Sequence, residues 1–69
     1  MITTDEAIAA ALRGGATGAV SEFLSSGQLS VVGSFEGGQH AFRYRTMNLG
    51  PAEIEADVRN WLASKECAV

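Results

Sequence analysis

The fold is decided by residues 29–46, which read LSVVGSFEGGQHAFRYRT. Two runs rich in β-branched and aromatic residues, 29–35 and 40–46, flank a turn that contains Gly37-Gly38. Adjacent glycines accept the positive φ angles that a two-residue hairpin loop needs. The stretch therefore predicts an antiparallel β-hairpin.

The alternation of side chains along this hairpin predicts which face is buried. With Gly37-Gly38 as the loop, large apolar residues fall on one face and polar residues on the other, as a half-buried antiparallel pair requires. The Phe42 ring would then cover the bare backbone of Gly33. The predicted inward pairs are Phe35 with His40, Gly33 with Phe42, Val31 with Tyr44 and Leu29 with Thr46, and the outward pairs are Ser34 with Ala41, Val32 with Arg43 and Ser30 with Arg45.

Helices are predicted on both sides of the hairpin. A Thr-x-x-Glu capping box at residues 3–6 starts the first helix, and its apolar phase continues past Gly14-Gly15 to about Ser25. Two alternatives remain open there: one kinked helix, or two short helices that share a face. The last helix is predicted to begin at Pro51, since proline suits the first helical position.

These elements predict one α+β domain over residues 1–69: a helix, an antiparallel two-stranded β-hairpin and a second helix, with residues 66–69 as a frayed tail. Because an isolated hairpin is marginally stable in water, both helices must pack on its apolar face. The core expected from this arrangement consists of Ile8, Leu12, Phe23, Leu24, Val31, Phe42, Tyr44, Ile54, Val58, Trp61 and Leu62.

Composition limits the classes of function. The net charge of −3, with few clustered cations, argues against binding to nucleic acid, which needs Lys and Arg to neutralise phosphates. No basic start, apolar leader or long apolar run is present, so neither a signal peptide nor a membrane span is expected. The single cysteine, Cys67, cannot form an intrachain disulfide, which suits a reducing, cytoplasmic compartment. No metal or other cofactor is expected, because one His and one Cys cannot build a structural zinc site.

No combination of residues in the sequence indicates a catalytic site. His40 has no nucleophile or second ligand near it in sequence, and it is interpreted as a cross-strand packing residue. The glycine-rich segment 14–19 follows a predicted helix and not a strand, which excludes the context of a dinucleotide-binding turn. The chain is therefore predicted not to be an enzyme.

The candidate binding residues are Arg43, Arg45 and Val32, which share the outward face of the predicted hairpin. One interpretation is that the two arginines only solubilise an exposed sheet face and protect its edges. The other is that they form a contact patch for an acidic protein partner or for nucleic acid, because arginine is enriched at binding hot spots.

The order helix, hairpin, helix in fewer than 70 residues resembles the gpW-type head-to-tail joining proteins of tailed phages. The likeness is carried by residues 31–35, the Gly37-Gly38 turn, the strand 41–46 and the amphipathic helix 51–63. Members of that family often show a strand of this aromatic-polar-aromatic-Arg type just before the last helix. The break at Gly14-Gly15 departs from the family, whose first helix runs straight into the hairpin.

The resemblance implies a non-enzymatic structural protein for head completion. Such a protein docks under the portal, helps to retain packaged DNA and offers a platform for the next completion or tail protein. Its partners would be portal or neck proteins, with homo-oligomers on assembly, and it would lie in the virion neck after assembly and in the host cytoplasm before. The alternative is a small homodimeric regulatory or adaptor module that pairs the free edges of its hairpin.

Overall fold

The structure is a computed structural model that describes residues 2–25 and 27–67, and it consists of a three-stranded antiparallel sheet with two helices. In chain order the elements are α1 (Thr4–Gly14), β1 (Gly18–Leu24), β2 (Gln28–Phe35), β3 (Gly38–Arg45) and α2 (Pro51–Cys67). The strands follow the order β1-β2-β3 in the sheet, and both helices lie against the same face. The α+β class is confirmed, but the sheet has one strand more than predicted.

The added strand is β1, which sequence reasoning assigned to a helix ending near Ser25. It pairs antiparallel with β2 from Gly18 opposite Ser34 to Leu24 opposite Gln28. Its side chains alternate between the two faces, and the ladder with β2 satisfies backbone groups that a helix would have bonded internally. One edge of the predicted hairpin is therefore not free, because β1 covers it.

α1 begins as predicted and ends earlier. The Thr3 hydroxyl accepts the Glu6 N–H, and the Glu6 carboxylate accepts the Thr3 N–H, both at 3.1 Å. At the other end Gly15 has φ 123°, its N–H donates to Leu12 O, and the Ala16 N–H donates to Ala11 O. These two bonds form a Schellman cap, which ends the helix in place of a kink.

The hairpin of β2 and β3 is present, but its loop lies one residue earlier than predicted. Phe35 pairs with Gly38, so the two loop residues are Glu36 and Gly37, and the predicted register was wrong by two positions. Because side chains alternate with a period of two, the same residues still face inward and outward. The true pairs include Val31 with Phe42, Leu29 with Tyr44, Gly33 with His40, Ser30 with Arg43 and Gln28 with Arg45.

A cluster of aromatic rings fills the space between α2 and the sheet. Trp61 of α2 lies 4.5 Å from the ring centroid of Phe35 and stacks on His40 at 4.7 Å. Phe42 lies edge-on to Trp61 at 6.3 Å. The Phe35 ring also covers Gly33, where an added Cβ would lie 2.8 Å from it. The prediction that Phe42 covers Gly33 was therefore wrong.

The core contains smaller side chains than predicted. α1 buries Ala7, Ala10, Ala11 and Gly14, which lie on one helical face. In contrast, Leu12 is 45% exposed and Phe23 is 47% exposed, so the prediction that both are core residues was wrong. Ile8 and Leu24 are half-buried. Val31, Ile54 and Val58 are fully buried, as predicted. Phe42, Tyr44, Trp61 and Leu62 were also predicted as core residues, and they are partly buried and pack against the core. The core further contains residues that were not predicted: Ile2, Ala16, Leu29, Phe35 and Leu49.

α2 begins at Pro51 as predicted and continues to Cys67. It therefore includes the first two residues of the segment 66–69 that was expected to fray. The side chains of Glu66 and Cys67, together with residues 68–69, lie outside the described part of the chain. The prediction of a frayed tail at residues 68–69 and any statement about the Cys67 thiol therefore concern residues and side chains outside the described part of the chain.

An ion-pair cluster joins the exposed sides of the two helices. Glu55 accepts from Arg13 of α1 at 3.0 Å and from Arg59, one turn along α2, at 2.8 Å. Hydrogen bonds from Arg13 and then Arg59 lower the pKa of the Glu55 carboxyl. The cluster is solvated, so its contribution to stability is small and is screened by salt.

The lowered pKa of Glu55 predicts a pH-dependent effect of the substitution Glu55→Gln. A carboxyl whose pKa is depressed by folding stabilises the protein above its unfolded-state pKa and loses that contribution as the pH falls through its folded-state pKa. We expect Glu55→Gln to have a slightly lower Tm than wild type at pH 7 and low salt. Thermal melts in increasingly acid buffer should show this difference disappearing, and a difference that persists in acid would contradict the assignment.

Candidate protein-binding face

One face of the sheet carries no helix. Among the residues that point away from the helices, six form what we call the outer sheet face: Val20, Glu22, Val32, Ala41, Arg43 and Arg45. Except for the half-buried Val32, all of these side chains are exposed. Since most antiparallel sheets in small proteins have one solvated face, exposure alone does not make this surface a site.

The outer sheet face is ordered in rows across the three strands. Val20, Val32 and Ala41 are directly opposite one another and form an apolar row. The neighbouring row places Glu22 on β1 and Arg43 on β3, with Ser30 between them. Ser30 is only 8% exposed, although it lies on the uncovered face. The face thus combines a strip of apolar surface with charges of opposite sign at its two edges.

The structure brings together the three residues selected from sequence. Val32, Arg43 and Arg45 all point outward, as the alternation predicted. Their pairing differs, because Arg43 lies opposite Ser30 and Val32 lies opposite Ala41. This places the two arginines at the edge strand and Val32 at the centre of the face.

The two arginines of the outer sheet face differ from the other cations of the described chain. Arg13 and Arg59 both pair with Glu55, and the Lys65 ammonium lies 5.1 Å from the Trp61 ring centroid. Within the described residues, Arg43 and Arg45 take part in no ion pair within 4.0 Å. Their charge is therefore available to a partner, although the same fact is compatible with a purely solubilising role.

Sequence reasoning missed Val20. It is 67% exposed and directly opposite Val32, so it extends the apolar row to the β1 edge. The sequence held no alternation that would reveal it, since residues 19–24 read apolar, apolar, polar, polar, apolar, apolar and not as a half-buried strand. Assignment of residues 18–24 to a helix concealed this contribution.

A groove opens between the end of α1, the hairpin loop and the last turns of α2. Its volume is about 520 Å³, and it is lined by Gly15, Thr17, Phe35, Glu36, Leu62 and Lys65. The Thr17 hydroxyl donates to the Ser34 carbonyl at 3.0 Å, so it serves the local backbone. The glycine-rich segment borders this groove but follows a helix and precedes β1, which is not the strand–turn–helix context of a phosphate-binding loop.

His40 lies on the helix side of the sheet and takes part in packing. It stacks on Trp61 at an interplanar angle of 17° and meets Phe42 edge-on at 4.8 Å. Among the residues that the structure describes, no three His, Cys, Asp or Glu side chains are grouped as a metal would require. The described helices include none long and apolar enough to cross a membrane.

Tyr44 faces the start of α2 from the inner side of β3. Its hydroxyl oxygen is buried and has no hydrogen-bond partner of standard geometry among the described residues. Burial, followed by the nearby Asp57 and Glu53 carboxylates, raises the pKa of Tyr44 well above its ordinary value. Tyr44 therefore remains a neutral phenol and is not an activated base at neutral pH.

Comparison with protein-family models, with curated proteins and with solved structures finds no match to this chain.

Proposed function

We propose that the protein is a non-enzymatic assembly protein that binds another protein through its outer sheet face. The observation that carries this proposal is the combination of an uncovered apolar row, Val20-Val32-Ala41, with Arg43 and Arg45 beside it and free of ion pairs among the described residues. An apolar centre with arginine at its border is the composition that protein interfaces favour. The unpaired arginines suit a partner with an acidic surface.

The resemblance to the gpW-type proteins makes the proposal more specific about the partner and the role. The partner would then be a portal or neck protein of a tailed phage, and the protein would complete the head, help to retain packaged DNA and receive the next tail component. The β2–β3 hairpin and α2 support this form, since both occur where the resemblance requires them. Strand β1 departs from it, because the first helix does not lead directly into the hairpin.

Charge reversal at Arg43 tests the proposal. The partner for this test is a portal protein, which the phage form of the proposal expects in the same genome neighbourhood, and the measurement is binding by calorimetry at physiological salt. We expect Arg43→Glu to weaken binding by about 2 kcal/mol, or roughly thirtyfold in Kd, as for a residue at an interface hot spot.

A matched control keeps the net charge the same. Ala52→Glu with Ala63→Glu adds the same two negative units as Arg43→Glu, and both alanines are exposed on α2, away from the sheet. This control should bind the portal protein like wild type. Equal binding by Arg43→Glu and by the control would contradict the role of the outer sheet face, and a genome neighbourhood without portal, terminase and capsid genes would contradict the phage form.

The second candidate is a homodimeric regulatory or adaptor module. It is favoured by the strand edges that the structure leaves unpaired, those of β1 and β3, because such edges readily pair with another chain. Sedimentation with reductant present separates the candidates. A dimer that is stable at low micromolar concentration would favour the adaptor, and a chain that associates only weakly would favour a component that assembles on a scaffold.

A further inference from the structure

The outward side chains of the three strands form four rows across the sheet. Each row takes one residue from each strand. In two rows a larger residue on one edge strand lies across from a smaller one on the other, and in a third row an acid lies across from a base. The rows are Gly18-Ser34-Gln39, Val20-Val32-Ala41, Glu22-Ser30-Arg43 and Leu24-Gln28-Arg45.

The acid and the base of the third row are both available to another molecule. Glu22 and Arg43 are exposed, and neither takes part in an ion pair within 4.0 Å across residues 2–25 and 27–67. They lie on opposite edge strands with β2 between them, so their backbones are about 10 Å apart. The two charges therefore suit a partner that presents a base over β1 and an acid over β3.

A second copy of the chain is such a partner when a two-fold axis runs parallel to the strands, midway between two stacked sheets. This axis lays β1 of each copy over β3 of the other. Glu22 then meets Arg43 of the second copy, and Val20 meets the smaller Ala41. Each of these contacts occurs twice, and Val32 meets its own counterpart on the axis.

The other possible two-fold axis, perpendicular to the strands, gives no such match. It lays each edge strand over the same strand of the second copy, so the arginines of β3 never meet the acid of β1. Arg43 would face either another arginine or the apolar Ala41. Because like charges and unpaired charges across an interface are unfavourable, the axis parallel to the strands is preferred.

We infer that two copies of this chain stack outer sheet face against outer sheet face about a two-fold axis parallel to their strands. The occupant is a second copy because the face matches itself in charge and in side-chain size. Stacked sheets lie about 10 Å apart with their strands within about 30° of each other. Both helices lie on the far side of each sheet, so neither helix meets its counterpart.

The area of the contact makes the dimer weak. Three strands of about seven residues cover a face of about 24 Å by 14 Å, so two copies would bury about 700 Å² in total. This area is below that of standard protein interfaces, and we expect a Kd on the order of 100 μM.

Self-association would regulate access to the face. The dimer covers the apolar row and the arginines that the proposed function assigns to a partner, so a partner must displace the second copy. The pairing is argued from the face alone, whereas this consequence rests on the proposed function. A weak dimer suits such a role, because a partner with moderate affinity can replace it.

A charge swap divided between two chains tests the pairing. Glu22→Arg alone places like charges opposite each other at both contacts, and so does Arg43→Glu alone. Each variant should therefore self-associate at least tenfold more weakly than the wild type. An equimolar mixture of the two variants restores both acid–base contacts, and its Kd should lie within about threefold of the wild-type value.

The matched control replaces Arg43→Glu by Arg45→Glu in the mixture. Arg45 is exposed on the same face, two residues along β3, and its substitution changes the net charge equally. The arginine introduced at position 22 then still faces Arg43, so this mixture should associate at least tenfold more weakly than the first. Each substitution changes the net charge of −3 by two units, so all variants stay negative and general attraction between chains is excluded.

Sedimentation equilibrium between about 10 μM and 1 mM with reductant present measures these differences. The wild type and the restoring mixture should show a mass that rises toward twice the chain mass of 7.2 kDa, while each single variant remains near the chain mass. Far-UV circular dichroism checks that the variants are folded, and Glu22→Lys, with the same change of charge, replaces Glu22→Arg if the latter is not.

Three results would overturn the inference: a wild type that is monomeric at 1 mM, a mixture that associates no more than its separate variants, or a control mixture that associates equally well. Binding to a portal protein distinguishes this failure from failure of the proposed function. A monomeric wild type whose portal binding is weakened by Arg43→Glu would refute only the self-association. Restored association in the mixture, with portal binding unaffected by Arg43→Glu, would refute only the proposed function.

Discussion

Replacement of Trp61 with alanine is expected to remove most of the stability of the protein at 25 °C. The Trp61 ring contacts Phe35, His40 and Phe42 of the sheet, and Lys65 lies over it. Truncation of a fully buried tryptophan to alanine costs about 3–5 kcal/mol. Trp61 is half-buried but packs on three rings, so we expect a cost of about 3 kcal/mol. A domain of this size without disulfides or metals has only about 3–5 kcal/mol of total stability.

Far-UV circular dichroism and urea denaturation measure this effect. The matched control is Met47→Ala, since Met47 is 83% exposed and lies in the link before α2. We expect the control to change the free energy of unfolding by less than about 0.5 kcal/mol. Trp61→Phe should fall between the two, because it retains one ring. A Trp61→Ala protein that unfolds within about 1 kcal/mol of wild type would contradict the central position of this ring.

Gly14→Ala is expected to destabilise the protein, against the intrinsic preference of helices for alanine. A Cβ at Gly14 would lie 2.7 Å from the Glu55 carbonyl oxygen and 2.7 Å from the Val58 Cβ. Both belong to the part of α2 that packs directly on α1, so α2 must move to admit the methyl group. Overpacking of this kind costs about 1–3 kcal/mol, which exceeds the roughly 1 kcal/mol that alanine gains over glycine in a helix.

The control for Gly14→Ala is Gly18→Ala, whose Cβ would meet Ser34 at an ordinary 3.8 Å. Urea denaturation should show a lower midpoint for Gly14→Ala at an unchanged m-value, and little change for Gly18→Ala. A midpoint for Gly14→Ala above that of wild type would mean that helix propensity dominates and that the two helices are farther apart than the structure has them.

Local patterns in the sequence predicted those elements whose signals are themselves local. The capping box at residues 3–6 and Pro51 fixed where the two helices begin, because capping depends on residues within one turn. The faces of β2 and β3 followed from alternation, which survives a register error of two positions. For this reason Arg43, Arg45 and Val32 were placed on the correct face although their partners were not.

Strand β1 could not be predicted from the sequence because its residues show no period of two. Residues 19–24 read apolar, apolar, polar, polar, apolar, apolar, which continues the helical phase of Ile8 and Leu12. Pairing with β2, a non-local interaction, makes this segment a strand. A local signal was present at Gly15, whose position as a Schellman cap ends the helix before β1 begins.

Reasoning from the size of apolar side chains also failed to predict which residues form the buried face of α1. Leu12 has the larger apolar surface, but the helix turns Ala10, Ala11 and Gly14 inward. Small side chains permit α1 and α2 to approach closely, as the short distances from Gly14 to Glu55 and Val58 show. The outer sheet face could be predicted only in part for a related reason, since Val20 can be assigned to it only after β1 is recognised as a strand.

The claim that the uncovered face of the sheet binds a partner is tested most directly by cross-saturation NMR. The labelled chain is mixed with an unlabelled portal protein, the partner that the proposal names, and saturation is transferred from the portal protein to contacting residues. We predict that signals of Val20, Val32, Ala41, Arg43 and Arg45 lose intensity, while exposed alanines on α2 do not. Transfer concentrated on α2, with the outward strand residues unaffected, would contradict the account.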